Sequence, residues 1–449
     1  MVKKKQIKVI IGANYGDEGK GRMTDYFARK ALKEGNNTIV VCSNGGAQRG
    51  HTVVLDNGYQ HIFHHFGSGT LAGADTYLPE SFIVNPMIFI KEYNKIESFA
   101  PTVFINPNCL ISTPFDMMNN QIIELSRGDR KHGSCGVGIW ETIVRNGLRY
   151  EEMIKMSDQE LFNYLKQVRD KYSRKRLLQH EIEVDDNWSK FYYDDNMIHN
   201  YIEDLRAMQI LTNKAYNNIL KKYDSIIFEN GQGLLLDGSI ETLYSTPSDT
   251  KFSSAFDIIK DVFPVNEYEL EVCYVTRSYL TRHALGDFRE EWNIKDLNFI
   301  KPNFESNTNN PHQGNFRYGL ILNSTLQEIA HRAAYDFHDT INDNITKSNI
   351  EDYNLKNTFH FSLAITHMDE YDLNTSLLDK LVIFDPKCIY KVYGSKSTDR
   401  VIVEDKQLPT NKYDAMKVIK DVSKTLAQAG AFPFNITDRD DGGIFIDFN

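Results

Sequence analysis

The segment that most restricts how this chain can fold begins at residue 8. Lys8-Val9-Ile10-Ile11 reads as a buried strand. Gly12-Ala13-Asn14-Tyr15-Gly16-Asp17-Glu18-Gly19-Lys20-Gly21 is a glycine-rich loop, and a helix follows from about Gly21 to Ala31. Glycine has no Cβ, so such a loop can turn sharply and leave its N–H groups open to a ligand. A strand that runs through a short loop into a helix opens a βα unit, and the next strand then lies parallel to the first. Thr38-Ile39-Val40-Val41-Cys42 supplies that second buried strand.

The alternation continues down the chain. Thr52 to Leu55 and Gln60 to Phe66 form a hairpin around Asp56-Asn57-Gly58, residues tolerant of positive φ. Ser157-Asp158-Gln159-Glu160 is a capping box that opens a helix. A long helical region runs from about Met197 to Lys222, and Ser225 to Glu229 is a strand ending at Gly231-Gln232-Gly233. Leu270 to Val275 is another buried strand, and a helix around Ser324 to Phe337 precedes a strand at Phe359 to Thr366. The C-terminal part holds β-rich Cys388 to Glu404, a helix near Ala415 to Gln428 and a strand from Gly443 to Phe448. This pattern predicts an α/β fold: a central, mostly parallel sheet flanked by helices, with small antiparallel additions. Lys301 to Gly314, rich in Asn, Pro and Gly, is either a linker or a long functional loop.

Composition excludes several classes. The 449 residues are 41% hydrophobic and 25% charged, which excludes a disordered chain. The net charge is −10, whereas a nucleic-acid binder carries a basic footprint. The Lys3-Lys4-Lys5 run reads as a solvated tail. No apolar run reaches membrane-spanning length, and no signal-peptide pattern precedes the first strand. Cys42, Cys109, Cys135, Cys273 and Cys388 are odd in number, widely spaced and never paired as CxxC. That argues against a disulfide framework or zinc site and for a reducing cytoplasm.

The first loop is suited to an anion. Its glycines admit close approach, the helix N-terminus adds N–H donors, and Lys20 adds a point charge for a phosphate. The spacing approaches a P-loop, but Asn14 replaces the first Gly and Gly21 the Ser/Thr that normally holds Mg²⁺. Asp17 is then the candidate metal ligand, a hard oxygen donor. A second loop, Gly45-Gly46-Ala47-Gln48-Arg49-Gly50-His51, follows the second strand. Neighbouring parallel strands open into one crevice at their C-terminal ends, so His51 can approach Asp17 as an acid/base partner. His61, His64 and His65 read as structural or surface residues, with His61 and His65 on one face of a strand.

These motifs resemble the adenylosuccinate synthetase family. Gly16 to Gly21 is its GDEGKG signature, and Gly45 to His51 matches its GGxxxGH. Gly133-Ser134-Cys135-Gly136-Val137-Gly138-Ile139 resembles its GTTGRGI loop, and Arg145-Asn146-Gly147-Leu148-Arg149 its RRGLR. Phe228 to Asp237 resembles FEGAQGTLLD. Tyr279 to Arg282, with Gly286 and Phe288, resembles YSTRVGAGPF, and Thr366 to Asp369 resembles TKLD. The resemblance spans essentially the whole chain and is weakest in about the last 80 residues. It implies a homodimeric ligase that joins IMP and L-aspartate to make adenylosuccinate, converting GTP to GDP and phosphate with Mg²⁺. It implies Asp17 as base and Mg²⁺ ligand, the Gly50 carbonyl as second ligand, His51 as acid and Lys20 as phosphate contact. The implied GTP site comprises Gly16, Asp17, Glu18, Gly19, Lys20, Gly21 and Arg22, then Gly50, His51 and Thr52, with Arg317, His367, Met368 and Asp369 further on. The implied substrate-nucleotide contacts are Gln48, Ser134, Cys135, Gln232, Thr246 and Asn315, together with Arg145 from across a dimer interface.

The departures fall at ligand-selecting positions. The family's GGHNAGH is GGAQRGH here, so Gln48 replaces a substrate-contacting Asn. Cys135 replaces a Thr, Val137 an Arg and His367 the Lys of TKLD. The family's TTGRRRR loop aligns with His312 to Arg317, where Arg317 survives and Asn315 replaces another Arg. The terminal STGP motif is reduced to Ile436-Thr437-Asp438. The alternatives are a diverged ligase acting on another purine nucleotide such as GMP or dGMP, on another amino acid or with ATP, and a nucleotide-binding regulator without catalysis. A branch of the family that aminates guanine nucleotides tends to replace the catalytic Asp by Ser or Gly, and Asp17 favours IMP. At roughly 150 residues per domain the length would allow about three domains. The site residues span most of the chain and must converge, so residues 1–449 are expected to form one large domain.

Overall fold

The structure, a computed structural model, describes residues 3–128, 133–184, 186–239, 246–283, 286–293, 309–310, 314–345, 358–371, 373, 386–405, 434–438 and 444–448. Its centre is a ten-stranded sheet. In chain order the strands are β1 (Lys5–Gly12), β2 (Thr38–Val41), β3 (Asp75–Leu78), β4 (Val103–Ile105) and β5 (Asn213–Lys214). They continue with β6 (Ser225–Gly233), β7 (Tyr268–Arg277), β8 (Phe359–Thr366), β9 (Cys388–Val392) and β10 (Val401–Asp405). Across the sheet the order is β10-β9-β8-β7-β1-β6-β2-β3-β4-β5. Every pairing is parallel except β9 with β10.

Alternation along β1 sets up two layers. Ile7, Val9 and Ile11 face one cluster, packed with Phe256 and Ile259 of one helix and Leu326, Ile329 and Phe337 of another, α2 (Asn323–Asn344). Ile10 faces the opposite cluster, with Met23 and Phe27 of α1 (Lys20–Lys33). A strand buried on both faces reads as a continuous apolar run, as residues 9–11 do. A third cluster lies under the antiparallel hairpin of His51–Val54 and Gln60–Phe63 and gathers Phe66, Phe89, Ile198 and Leu205.

Most expected elements are present. The capping box at Ser157 and Glu160 forms with both reciprocal bonds. The long helix after Met197 is shorter than expected: it spans Asp195–Leu211, then gives way to β5 and a short 3-10 turn at Asn217–Lys222. β-Branched Thr212, extended at φ −127° and ψ 157°, ends it. The expected helix near residues 415–428 and most of the 301–314 loop lie outside the described residues. The strand expected at the C-terminus is Ile444–Phe448, paired antiparallel with Phe434–Asp438. No helix among the described residues is long and apolar enough to cross a membrane.

Register fixes where the loops emerge. Gly12, the last residue of β1, lies opposite Gly233 of β6 and Val275 of β7. The β1–β6 register breaks between Ile10 and Gly12, because Ile10 pairs with Glu229 while Gly12 pairs with Gly233. The surplus residues of β6 bulge outward there, and Gln232 adopts φ 62°, a left-handed conformation that a non-glycine residue rarely holds.

One buried carboxyl ties α2 to the sheet. Asp336 accepts from the Tyr274 hydroxyl at 2.8 Å and from the Phe252 N–H at 3.0 Å. Burial pushes its pKa up to about 7. The native state therefore holds this proton where the unfolded chain releases it, and stability should fall as pH rises from about 4 to about 7. Asp336→Asn keeps an acceptor oxygen without the charge. Urea titrations between pH 4 and 8 should show a flatter stability profile for the variant than for the native chain.

Candidate functional site

The C-terminal ends of β1, β2, β6, β7 and β8 share one edge of the sheet, and the motif loops leave from there. The loop after β1 forms a nest of N–H groups. The Glu18 carboxylate accepts from the N–H groups of Gly16 at 2.7 Å and Asn14 at 3.0 Å. Lys20, 1% exposed, donates to the Gly16 carbonyl at 2.7 Å and pairs with Glu18 at 3.3 Å. The donors thus converge on an anion, here a side chain of the loop itself. A Cβ at Gly12 would sit 2.8 Å from the Gln232 backbone carbonyl oxygen, as well as 2.4 Å from Glu18 Oε2, so glycine is required beneath this nest.

Neighbouring strands and α2 pin the loop through its carbonyls. Thr366 Oγ1 donates to Glu18 O at 2.8 Å, Arg332 Nη1 to Ala13 O at 2.6 Å, and Arg277 Nε to Asp17 O. The Asp17 side chain remains about a quarter exposed, with His283 Nε2 3.9 Å from its Oδ2.

The second loop meets the first at α1. A Cβ at Gly21 would lie 3.1 Å from His51 Cβ and 3.0 Å from Thr52 O, so Gly21 lets the hairpin seat against the first turn of α1. The His51 ring is held by β6, with Nδ1 2.9 Å from Glu229 Oε1. That carboxylate also accepts from the Ser68 hydroxyl, from the Ser68 N–H at 3.2 Å, and from Arg49 Nη2. A carboxylate oxygen accepts only, so Nδ1 carries the proton and Nε2 is left for the site. Burial pulls the His51 pKa down to about 4; Glu229 opposes that shift and Arg49 adds to it. At neutral pH the resting imidazole is uncharged.

Other candidates are placed as follows. Gln48 has both amide atoms buried with no hydrogen-bond partner among the described residues. Gln232 lies beside the first loop, its backbone 3.4 Å from a Cβ built on Gly16. Thr246 is half-buried and bonds through its N–H to Leu236 O at 2.7 Å. The loop of Ser134 and Cys135 leads into Ile139, whose side chain abuts Gly46 of the second loop. The Ser134 hydroxyl donates to Asn120 at 2.9 Å, and burial pushes the Cys135 thiol up to about 11, away from the thiolate form. His367, like Gln232, has positive φ, at 59°, and burial holds its ring neutral, while Met368 is buried. Asp369 accepts from the Gly394 N–H at 2.8 Å. Arg22 is buried and donates to Asp399 O at 2.9 Å. Arg317 pairs with Glu291, stacks over Phe288 and lines a cavity of about 440 Å³ with Trp292, Asn293, Phe316 and Tyr318. Asn315 lies in a two-residue ribbon strand opposite Asn309.

A model of the adenylosuccinate synthetase family matches residues 9–315. The chain belongs to this family. Its members are C–N ligases that use nucleotide substrates. The adenylosuccinate synthetase of Chlorobium chlorochromatii is 27% identical over 298 residues, 63% of this chain, and the match spans 64% of that relative's length. The fully ligated adenylosuccinate synthetase of Plasmodium falciparum superposes with a TM-score of 0.57 at 16% identity, covering 94% of this chain and 95% of that one. The succinoaminodeoxyadenylate synthetase of cyanophage S-2L, solved bound to dGMP and dATP as an energy donor, superposes with a TM-score of 0.53 at 14% identity. It covers 93% of this chain and 99% of its own.

The Arg145 guanidinium is engaged within the chain. Nε and Nη2 pair with Asp116 at 2.8 and 2.9 Å, Nη2 also reaches Ile111 O at 2.8 Å, and Nη1 donates to Tyr164 at 3.0 Å. The cause is Asp116, a buried capping-box residue whose charge needs a buried partner. Reading the chain also missed Glu229, Arg49 and His283. Glu229 had a signal, since an acid that directly follows the apolar run Ile226-Ile227-Phe228 in a buried strand is costly to bury without a role.

The three histidines in and just after the hairpin are structural. Glu92 accepts from the N–H groups of His64 at 2.9 Å and His65 at 2.8 Å and lies 3.4 Å from His61 Nε2. His64 also steadies the second loop, because its Nδ1–H can only donate to the carbonyls of Arg49 at 2.6 Å and Ala47 at 3.1 Å. His64→Ala should loosen that loop and lower turnover by about 10-fold, the usual effect of losing an orienting contact. Steady-state kinetics beside a thermal melt would check that activity falls more than stability does.

Proposed function

We propose that this chain is a GTP-dependent ligase that joins IMP and L-aspartate into adenylosuccinate through 6-phosphoryl-IMP. One observation carries the reading: the GDEGKG nest, Asp17 and the Glu229-held His51 leave one edge of one sheet, with Gly21 admitting the contact between the two loops. O6 of a hypoxanthine is a poor leaving group. In the proposed sequence Asp17 takes the N1 proton and O6 attacks the γ-phosphorus as GDP leaves. The aspartate amine then attacks C6, and the C6–O6 bond breaks to release phosphate. Lys20 and the loop N–H groups hold phosphate oxygens. His51 faces O6 through Nε2 and, once protonated, donates to the charge that develops there.

The donor set suits Mg²⁺. Asp17 offers a partly exposed carboxylate and Gly50 an exposed backbone carbonyl, hard oxygen ligands of the kind Mg²⁺ takes beside substrate phosphates. When bound, the ion would neutralise charge on the transferring phosphoryl group. The proposal includes a cytoplasmic homodimer. Arg145 would reach the partner's nucleotide only by exchanging Asp116 for that phosphate.

A second reading, a ligase for GMP or dGMP or one driven by ATP, is favoured by the unsatisfied Gln48 amide, which offers both a donor and an acceptor to a base. A panel of IMP, GMP and dGMP with several amino acids and GTP, ATP or dATP, read by phosphate release and product mass, separates these readings. The proposal expects the highest turnover with IMP, L-aspartate and GTP; turnover confined to guanine nucleotides would overturn it. Asp17→Ala should lower kcat by on the order of 10² to 10⁴, the worth of a general base. Unchanged turnover in that variant would remove Asp17 from the mechanism.

A further inference from the structure

The group behind His51 contains a residue that the family loop does not have. Where GGHNAGH carries alanine, this chain carries Arg49. Its side chain is fully buried, as is that of Glu229, with which it pairs through Nη2. Nε and Nη1 of Arg49 have no hydrogen-bond partner among the described residues. A guanidinium so placed is costly, since much of its hydration is lost and only one of its nitrogens is repaid by a carboxylate. Packing alone would be served by an apolar residue of similar volume.

The geometry shows what the charge does. Glu229 Oε2 receives Arg49 Nη2 and the Ser68 N–H, and this directs Oε1 at His51 Nδ1. Arg49 Nη2 lies 3.3 Å from the same Nδ1, but with Nδ1 protonated both are donors and both turn to the carboxylate between them; flipping the ring would put Cδ2–H against Glu229 and lose the bond. His64 holds the Arg49 carbonyl from the other side, so the residue is fixed at both backbone and side chain.

We propose that Arg49 is a positioning residue for His51: by fixing the Glu229 carboxylate it locks the imidazole with Nδ1–H on Glu229 and Nε2 toward the substrate. Arg49 touches no substrate and acts through Glu229. Its effect on turnover rests on the role given to His51 above, whereas its effect on the ring does not.

The test uses the full chain without substrate. A ring N–H held by a buried carboxylate exchanges slowly and gives a low-field proton resonance, assigned among the thirteen histidines by its loss in His51→Asn. The resonance should be present in the native chain and in Arg49→Lys, and lost in Arg49→Met. Kinetics should show kcat reduced by about 10- to 100-fold in Arg49→Met, the usual effect of removing an orienting partner. KM for the nucleotide should stay within about 2-fold, and Arg49→Lys should restore much of kcat. If Arg49→Met does not fold, Arg49→Met/Glu229→Gln removes both charges together and should show the same lost resonance and low kcat. An unchanged resonance in either variant, or an unchanged kcat, overturns the proposal. A resonance that behaves as expected, in a chain that turns over no substrate on the panel, would support the positioning role and defeat the assigned reaction instead.

Discussion

The register that brings Gly12 level with Gly233 and Val275 is the constraint on which the rest of the molecule depends. Parallel strands that stop in register must send their loops out on the same side. The glycines at this junction then settle how close those loops come. A Cβ at Gly233 would lie 2.3 Å from Asn14 O, and one at Gly12 would intrude on Glu18 and Lys20. The site is therefore a product of sheet register, and the loops contribute chemistry to a position the strands have already set.

Electrostatics follows from the same junction. The chain carries a net charge of −10, yet its proposed ligands are anions. Positive potential must be local, and the buried Lys20, the loop N–H groups and the end of α1 supply it at one spot. Several buried charges nearby have a named counterpart: Lys20 has Glu18, Arg49 has Glu229, and Glu92 has the N–H groups of His64 and His65. Buried pairs of this kind are weakly screened, and burial together with Arg49 leaves His51 neutral at rest although a carboxylate touches it. Arriving phosphates would alter that balance in the direction of a protonated ring.

Much of the fold was legible in the sequence because its signals were local. The run at 9–11 is apolar throughout and the strand at Phe359–Thr366 is mostly so, as befits strands buried on both faces. The helix after Met197 was overextended because its polar-apolar pattern continues past Leu211, while a short sheet-edge pairing of Asn213–Lys214 with β4 takes the chain. At the site, loops and glycines could be read from spacing, since backbone approach is written in residue type. The partners of those residues could not. Glu229 lies 178 residues from His51, and Asp116 claims Arg145 across 29 residues. Such pairings arise from packing between elements, and spacing along the chain does not encode them.

Transfer of the γ-phosphoryl group to a purine oxygen is the central claim about this site, and an isotope tests it directly. Purine monophosphate labelled with ¹⁸O at position 6 would be turned over with GTP and aspartate, and the released phosphate analysed by mass spectrometry. If O6 attacks phosphorus and leaves with it, each phosphate carries one ¹⁸O. Phosphate released without the label would mean that water accepts the phosphoryl group, and would contradict the account.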